Sequence, residues 1–194
     1  MSNRKPASAQ TKWTTNKLAV TAAENAAPKA PILFRGDIGK SLVNPKAIGH
    51  EALEIQFPDH WGFDADALAT HRDSLGMGIA SLVSGQLNVR MGLSLCHDDP
   101  DNVAKAIDGL KRFVDAAAVV DSGVVVGWVR GQLGDKPEER LAKQGKALRE
   151  VNKLAAEKKV PLCIEAINHY ERESQNSALQ ILDFIETYEL TQAY

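Results

Sequence analysis

Cysteine is scarce: Cys96 and Cys163 are the only two in 194 residues. They lie far apart, with no CxxC pair and no histidine-rich partner, so no disulfide framework is implied and a reducing, cytoplasmic compartment is expected. An excess of one charge is also missing. Twenty-three Lys plus Arg against 25 Asp plus Glu leave a net charge of -2, which excludes a strongly basic protein held to nucleic acid by bulk charge. No apolar run approaches the roughly 18–20 residues of a membrane span, so no membrane partner is expected. Two phosphate cradles are absent: no GxGxxG follows the first apolar run and no GxxxxGK[ST] occurs anywhere, which removes the usual nucleotide-binding versions of an open α/β sheet. Residues 1–16 have no apolar stretch of the secretory kind. They read as a flexible N-terminal tail, followed by one domain over 17–194.

What is present is an ordinary globular composition, 44% apolar and 25% charged, with short apolar runs alternating with amphipathic ones. Leu18–Ala22, Ala52–Phe57, Gly78–Val83, Val124–Val129 and Pro161–Ile167 read as strands. Between them, helices are predicted after Asp37, from Asp64 to Leu75, from Pro100 to about Asp121, over Pro137–Lys159, and over Ser177–Tyr188. Pro45 should break or kink the first helix. Asp99-Pro100 supplies a cap and a first-turn proline, and Val103, Ile107, Leu110, Val114 and Ala117 keep a helical stripe. Alternating strands and helices signal a parallel sheet. An open doubly wound sheet and an incomplete (β/α)8 barrel of about five strands both satisfy that pattern.

Chemistry in either architecture collects beyond the C-terminal strand ends. The candidates there are Gln56, Asp59 and His60; Ser84 and Gln86; Arg130 and Gln132; and Glu165, Asn168, His169 and Glu171. Glu165 is the most informative. Alternation puts Leu162, Ile164 and Ala166 on one face of the last strand and Cys163, Glu165 and Ile167 on the other. A carboxylate in a buried apolar strand costs several kcal/mol unless paired or bound to a cation. It is therefore a metal ligand or general acid/base, or else a partner of a Lys or Arg at the rim, and the residues alone leave both open. Arg130-Gly-Gln132 could contact an anion, whereas Trp128 and the Val run before it read as core.

The run Leu162-Cys-Ile-Glu165-Ala-Ile-Asn168-His-Tyr170-Glu171 resembles the fifth-strand motif of the xylose isomerase-like TIM-barrel superfamily, in its sugar phosphate isomerase/epimerase branch. The Glu-x5-Glu spacing and the Asn are kept, while Ala166 stands for the usual proline and His169 for the usual arginine. Phe34-Arg-Gly-Asp37, Ala52-Leu-Glu-Ile-Gln56, Ser84-Gly-Gln86 and Val126-Gly-Trp-Val-Arg-Gly131 add weaker agreement. The resemblance implies a divalent metal (manganese, magnesium or cobalt) with Glu165 as a ligand and as one acid/base. It also implies a small sugar or sugar phosphate carried through an enediolate, with Glu171, Asn168, His60 and Gln86 binding it.

In that family the other ligands come from strands six to eight, and residues 17–194 fall below the roughly 200-residue lower end for such barrels. The expectation is a C-terminally incomplete barrel holding strands one to five and the fifth helix. The alternative is a non-catalytic partial barrel, inert or active only after association with another chain. Exposed edges of strands one and five predict pairing with a second copy. A DNA-repair endonuclease of the same superfamily is a weaker reading, opposed by the Glu165–Glu171 run and by the lack of clustered histidines or a basic face.

Overall fold

The computed structural model describes residues 17–24, 30, 32–57 and 64–194. The tail predicted over 1–16 lies outside them. The chain order is β1 (Ala19–Ala23), β2 (Phe34–Arg35), α1 (Ile38–Ala47), β3 (Ala52–Gln56), α2 (Ala65–Leu75), β4 (Gly78–Val83), α3 (Gln86–Val89), α4 (Pro100–Val119), β5 (Gly123–Val126), a 3-10 turn (Trp128–Arg130), α5 (Pro137–Lys158), β6 (Leu162–Ile164) and α6 (Ala178–Tyr188). All strand pairs are parallel, in the order β2-β1-β3-β4-β5-β6.

Apart from the two-residue β2, which lies on the far side of β1, that order favours the barrel over the doubly wound sheet. A doubly wound sheet reverses direction at a switch point, whereas the five main strands here advance in one direction across the sheet, as staves of a barrel do. The helices pack in the same sequence, α2 on α4, α4 on α5 and α5 on α6. Beneath them, Leu53, Ile55, Leu82, Val124, Val126, Leu162 and Ile164 meet Leu110, Val114, Leu148, Val151 and Phe184 in one continuous buried core. Each such side chain contributes roughly 1.5–3 kcal/mol by leaving water.

Several expectations need correction. The sheet has six strands, because Phe34 and Arg35 pair with Ala22 and Ala23 and cover the outer edge of β1. At the other edge, Tyr194 N–H donates to the Leu162 carbonyl and Ile164 N–H to that of Tyr194, so the last residues add the first rungs of another parallel strand. Both outer edges are therefore partly occupied. Helix α1 runs through Pro45 to Ala47. Its end is closed by the Pro45 carbonyl, which accepts from Ile48 and His50. β5 stops at Val126 and β6 at Ile164, each shorter than the apolar run that contains it.

The opposite face of the sheet is concave and layered. Thr21, Glu54 and Ser81 lie in register across β1, β3 and β4, followed by Gln56, Val83, Val125 and Cys163 one layer closer to the strand ends. A register shift after Leu53 brings Ser81, rather than Ala80, opposite Glu54. Bulges commonly re-aim a side chain in this way near functional sites.

Candidate active site

The concave face opens into a cavity of about 520 Å3 whose lining includes Thr21, Glu54, Gln56, Val83, Gln86, Val125, Trp128 and Glu165. Deep in it, Glu54 accepts hydrogen bonds from Thr21 Oγ1 at 2.9 Å and Ser81 Oγ at 3.2 Å. This carboxylate was not singled out from sequence, yet its signal was readable: it sits between Leu53 and Ile55 in a strand that alternates burial, so it must face away from the core.

Glu165 lies at the mouth, one residue beyond β6, with its N–H donated to the Val126 carbonyl. It is not locked in a buried strand, as the run had suggested. The alternation also ends there: Ala166 is exposed and Ile167 buried. Its carboxylate lies against Gly127, where a Cβ would stand 2.2 Å from Oε2. Only a residue without a side chain permits that approach. Burial pushes the Glu165 carboxyl above the ordinary glutamate range, the Arg130 charge draws it back, and Glu54 and Glu171 push it further up. Burial, helped by Glu165 and Glu54, likewise raises the Cys163 thiol. Both Cys96 and Cys163 are free.

The loop after β6 folds on itself. Asn168 Nδ2 donates to Glu171 Oε1 at 2.6 Å, and Asn168 Oδ1 accepts from the Tyr170 N–H. Asn168 thus orients Glu171, whose carboxylate stands within electrostatic reach of Glu165 but is not among the side chains lining the cavity. Gln86, the first residue of α3, does line it. His60 lies outside the described residues. Ser84 is buried and spends its hydroxyl on the Val125 carbonyl.

Two further assignments reverse. Arg130 is 1% exposed and reaches inward, bonding Gly127 O, Gln175 Oε1 and Glu165 O, so it is not an outward anion contact; burial lowers its pKa to about 10. Trp128, expected in the core, is 36% exposed and lines the cavity. Gly127 ends β5 and the following 3-10 turn exchanges the two residues' places. Arg172, which no pattern marked, is buried with its guanidinium stacked 4.6 Å from the Trp128 ring centroid.

A parallel sheet whose main strands advance in one direction, with Glu165 beyond its C-terminal end, has the layout of part of a (β/α)8 barrel wall. Its family is shown by sequence: the family model for the xylose isomerase-like TIM barrel matches residues 45–191, and the chain belongs to that family. It is 24% identical over 155 residues to an L-ribulose 3-epimerase of Methylomonas sp. (strain DH-1), a match covering 76% of this chain and 51% of the relative. A solved L-ribulose 3-epimerase superposes with a TM-score of 0.71 at 19% identity, over 91% of this chain and 59% of that one. A D-allulose 3-epimerase from Methylomonas sp. in complex with D-allulose superposes with a TM-score of 0.67 at 21% identity, over 80% and 54%. The chain spans about half the length of the curated relative it matches.

Metal chemistry is testable against the donors present. Among the described residues no group of three or more His, Cys, Asp or Glu side chains is placed to hold an ion. Oxygen-loving divalent ions take about six donors. Glu165 offers one carboxylate arm, so the described residues do not by themselves fit such an ion. No described helix is long and apolar enough to cross a membrane.

Proposed function

We propose that this chain carries the proton-transfer half of a sugar isomerase or epimerase site acting on a ketose or aldose, free or phosphorylated. The observation that carries the reading is the seating of Glu165. Its carboxylate rests on Gly127 at a cavity that sets Thr21, Glu54, Gln56 and Gln86 among the apolar Val83, Val125 and Trp128. Burial raises its proton affinity toward that of a working base. Glu165 takes the proton from the carbon beside the substrate carbonyl, leaving an enediolate. Return of the proton by Glu165 to the neighbouring carbon gives isomerisation; return to the same carbon from the opposite face gives epimerisation and requires a second acid. Glu171, oriented by Asn168, binds a substrate hydroxyl, and Gln86 and His60 contribute to the same sugar. The family's dependence on manganese, magnesium or cobalt belongs to this reading, with Glu165 as one ligand.

Solvent-deuterium exchange into D-allulose at C3 tests it. The parent chain is expected to catalyse the exchange and Glu165→Gln to slow it roughly 10²- to 10⁴-fold; equal exchange by the two removes Glu165 from the chemistry. A second reading, a partial barrel that is inert until another chain associates, is favoured by the lack of a three-donor cluster among the described residues. It predicts no exchange by the 194-residue chain alone. Pairing with a second copy through the sheet edges would appear as a dimer in sedimentation velocity.

A further inference from the structure

Two guanidinium groups are buried beside the mouth, and every hydrogen bond they make among the described residues goes to a neutral oxygen. Arg130, from the turn after β5, donates to the carbonyls of Gly127 and Glu165 and to Gln175 Oε1. Arg172 donates to the carbonyls of Glu171 and Trp128 and to Asn88 Oδ1, with its plane over the Trp128 ring. The Glu165 charge supports Arg130 and those of Glu171 and Glu173 support Arg172, yet neither guanidinium hydrogen-bonds a carboxylate among the described residues, and an apolar side chain of similar volume would usually serve stability as well or better. What these forks gain is geometry: three hydrogen bonds each in fixed directions, tying together loop backbone at and beyond the strand ends.

We propose that Arg130 and Arg172 are a pair of internal clamps that hold the Glu165–Glu171 segment in its working shape, Arg130 at its first residue and Arg172 at its last. Both are positioning residues. Beyond Ile164 only the Glu165 N–H still bonds β5, at the Val126 carbonyl. The bonds within the segment are local turns around Asn168, and from outside Asn176 Nδ2 donates to the Ile167 carbonyl and Gln132 Nε2 to that of Glu171, beside the two arginines. Arg130 joins the peptide carbonyl of Glu165 to that of Gly127, the residue against which the Glu165 carboxylate rests. Arg172 joins the Glu171 carbonyl to Trp128 on β5's exit and to Asn88 on α3. The clamp itself is independent of substrate; its consequence for catalysis rests on the sugar reading above.

Amide hydrogen exchange by mass spectrometry on the full chain tests the clamp, comparing Arg130→Gln, Arg172→Gln and the two Lys variants with the parent. Exchange over 165–173 is expected to quicken roughly tenfold or more in the Gln variants, with α4 and β5 unchanged, and to be partly restored by Lys. Unchanged exchange over 165–173, or an equal rise throughout the molecule, overturns the clamp. If a Gln variant does not fold, Trp128→Leu removes only the stacking plane under Arg172; faster exchange confined to 168–173 supports the clamp and no change overturns it. Titration of the same proteins with D-allulose separates the two claims. A loosened segment with weakened binding supports both. A loosened segment in a protein whose parent binds no D-allulose keeps the clamp and removes D-allulose from the sugar reading.

Discussion

At the scale of single residues, the mouth depends on what is missing at Gly127 as much as on what is present at Glu165. Gly127→Ala would place a Cβ 2.2 Å from Glu165 Oε2, and the flexible carboxylate is the group that would move. Displacements of about 1 Å at a reacting group can cost roughly 10²-fold in rate. The variant should therefore lose exchange activity on that order while keeping its urea midpoint close to the parent's. The raised carboxyl of Glu165 gives a second expectation. A group whose pKa is higher folded than unfolded contributes stability that is fully present below the unfolded value and is lost as pH rises through the folded one. Glu165→Gln, which cannot ionise, should hence unfold at higher urea than the parent at pH 8, with the gap closing below the ordinary glutamate value of 4.5; a gap independent of pH would show that ionisation is not its source. That Glu165, Asn168 and Glu171 share one loop beyond the last strand was legible from spacing and residue type. Arg130 and Trp128 were not, because a single 3-10 turn decides which of two neighbours in the run faces inward.

At the scale of elements, caps and stripes carried their information well. Asp99 accepts from the Asp101 N–H and Pro100 opens α4, as the Asp-Pro pair foretold, and Asp64 caps α2 through the Ala67 N–H. The two-residue β2 and the four-residue α3 left no periodic trace: β2 forms where Phe34 and Arg35 meet the edge of β1. Helix α5 meets α6 through a contact that composition does not reveal. Tyr188 lies on Gly145, where a Cβ would stand 2.3 Å from the ring. Gly145→Ala should destabilise the fold by about 1–3 kcal/mol through overpacking, measured by urea unfolding. Pairing it with Tyr188→Leu should recover part of that loss, since contacting residues are non-additive; simple additivity would mean that the ring already has room to move.

At the scale of the whole molecule, the question is how far this sheet can act as a metal enzyme. The periodic pattern announced a parallel α/β chain but could not show that the concave face begins with a polar layer, Thr21–Glu54–Ser81. That layer depends on the bulge after Leu53, which no propensity marks. It lets water wet a surface that a purely apolar barrel interior would have to hide. The same face bears on metal affinity. Glu54 has its two oxygens engaged by Thr21 and Ser81, leaving Glu165 as the outward-facing carboxylate arm at the mouth. Affinity for hard divalent ions follows the number and rigidity of the oxygen donors. Titration of the 194-residue chain with manganese alone, read calorimetrically, should give a dissociation constant no tighter than about 10⁻⁴–10⁻³ M, and Glu165→Gln should abolish the remaining heat. Stoichiometric micromolar uptake that survives Glu165→Gln would place the donors elsewhere in the chain, and Glu165 would then act through its proton alone.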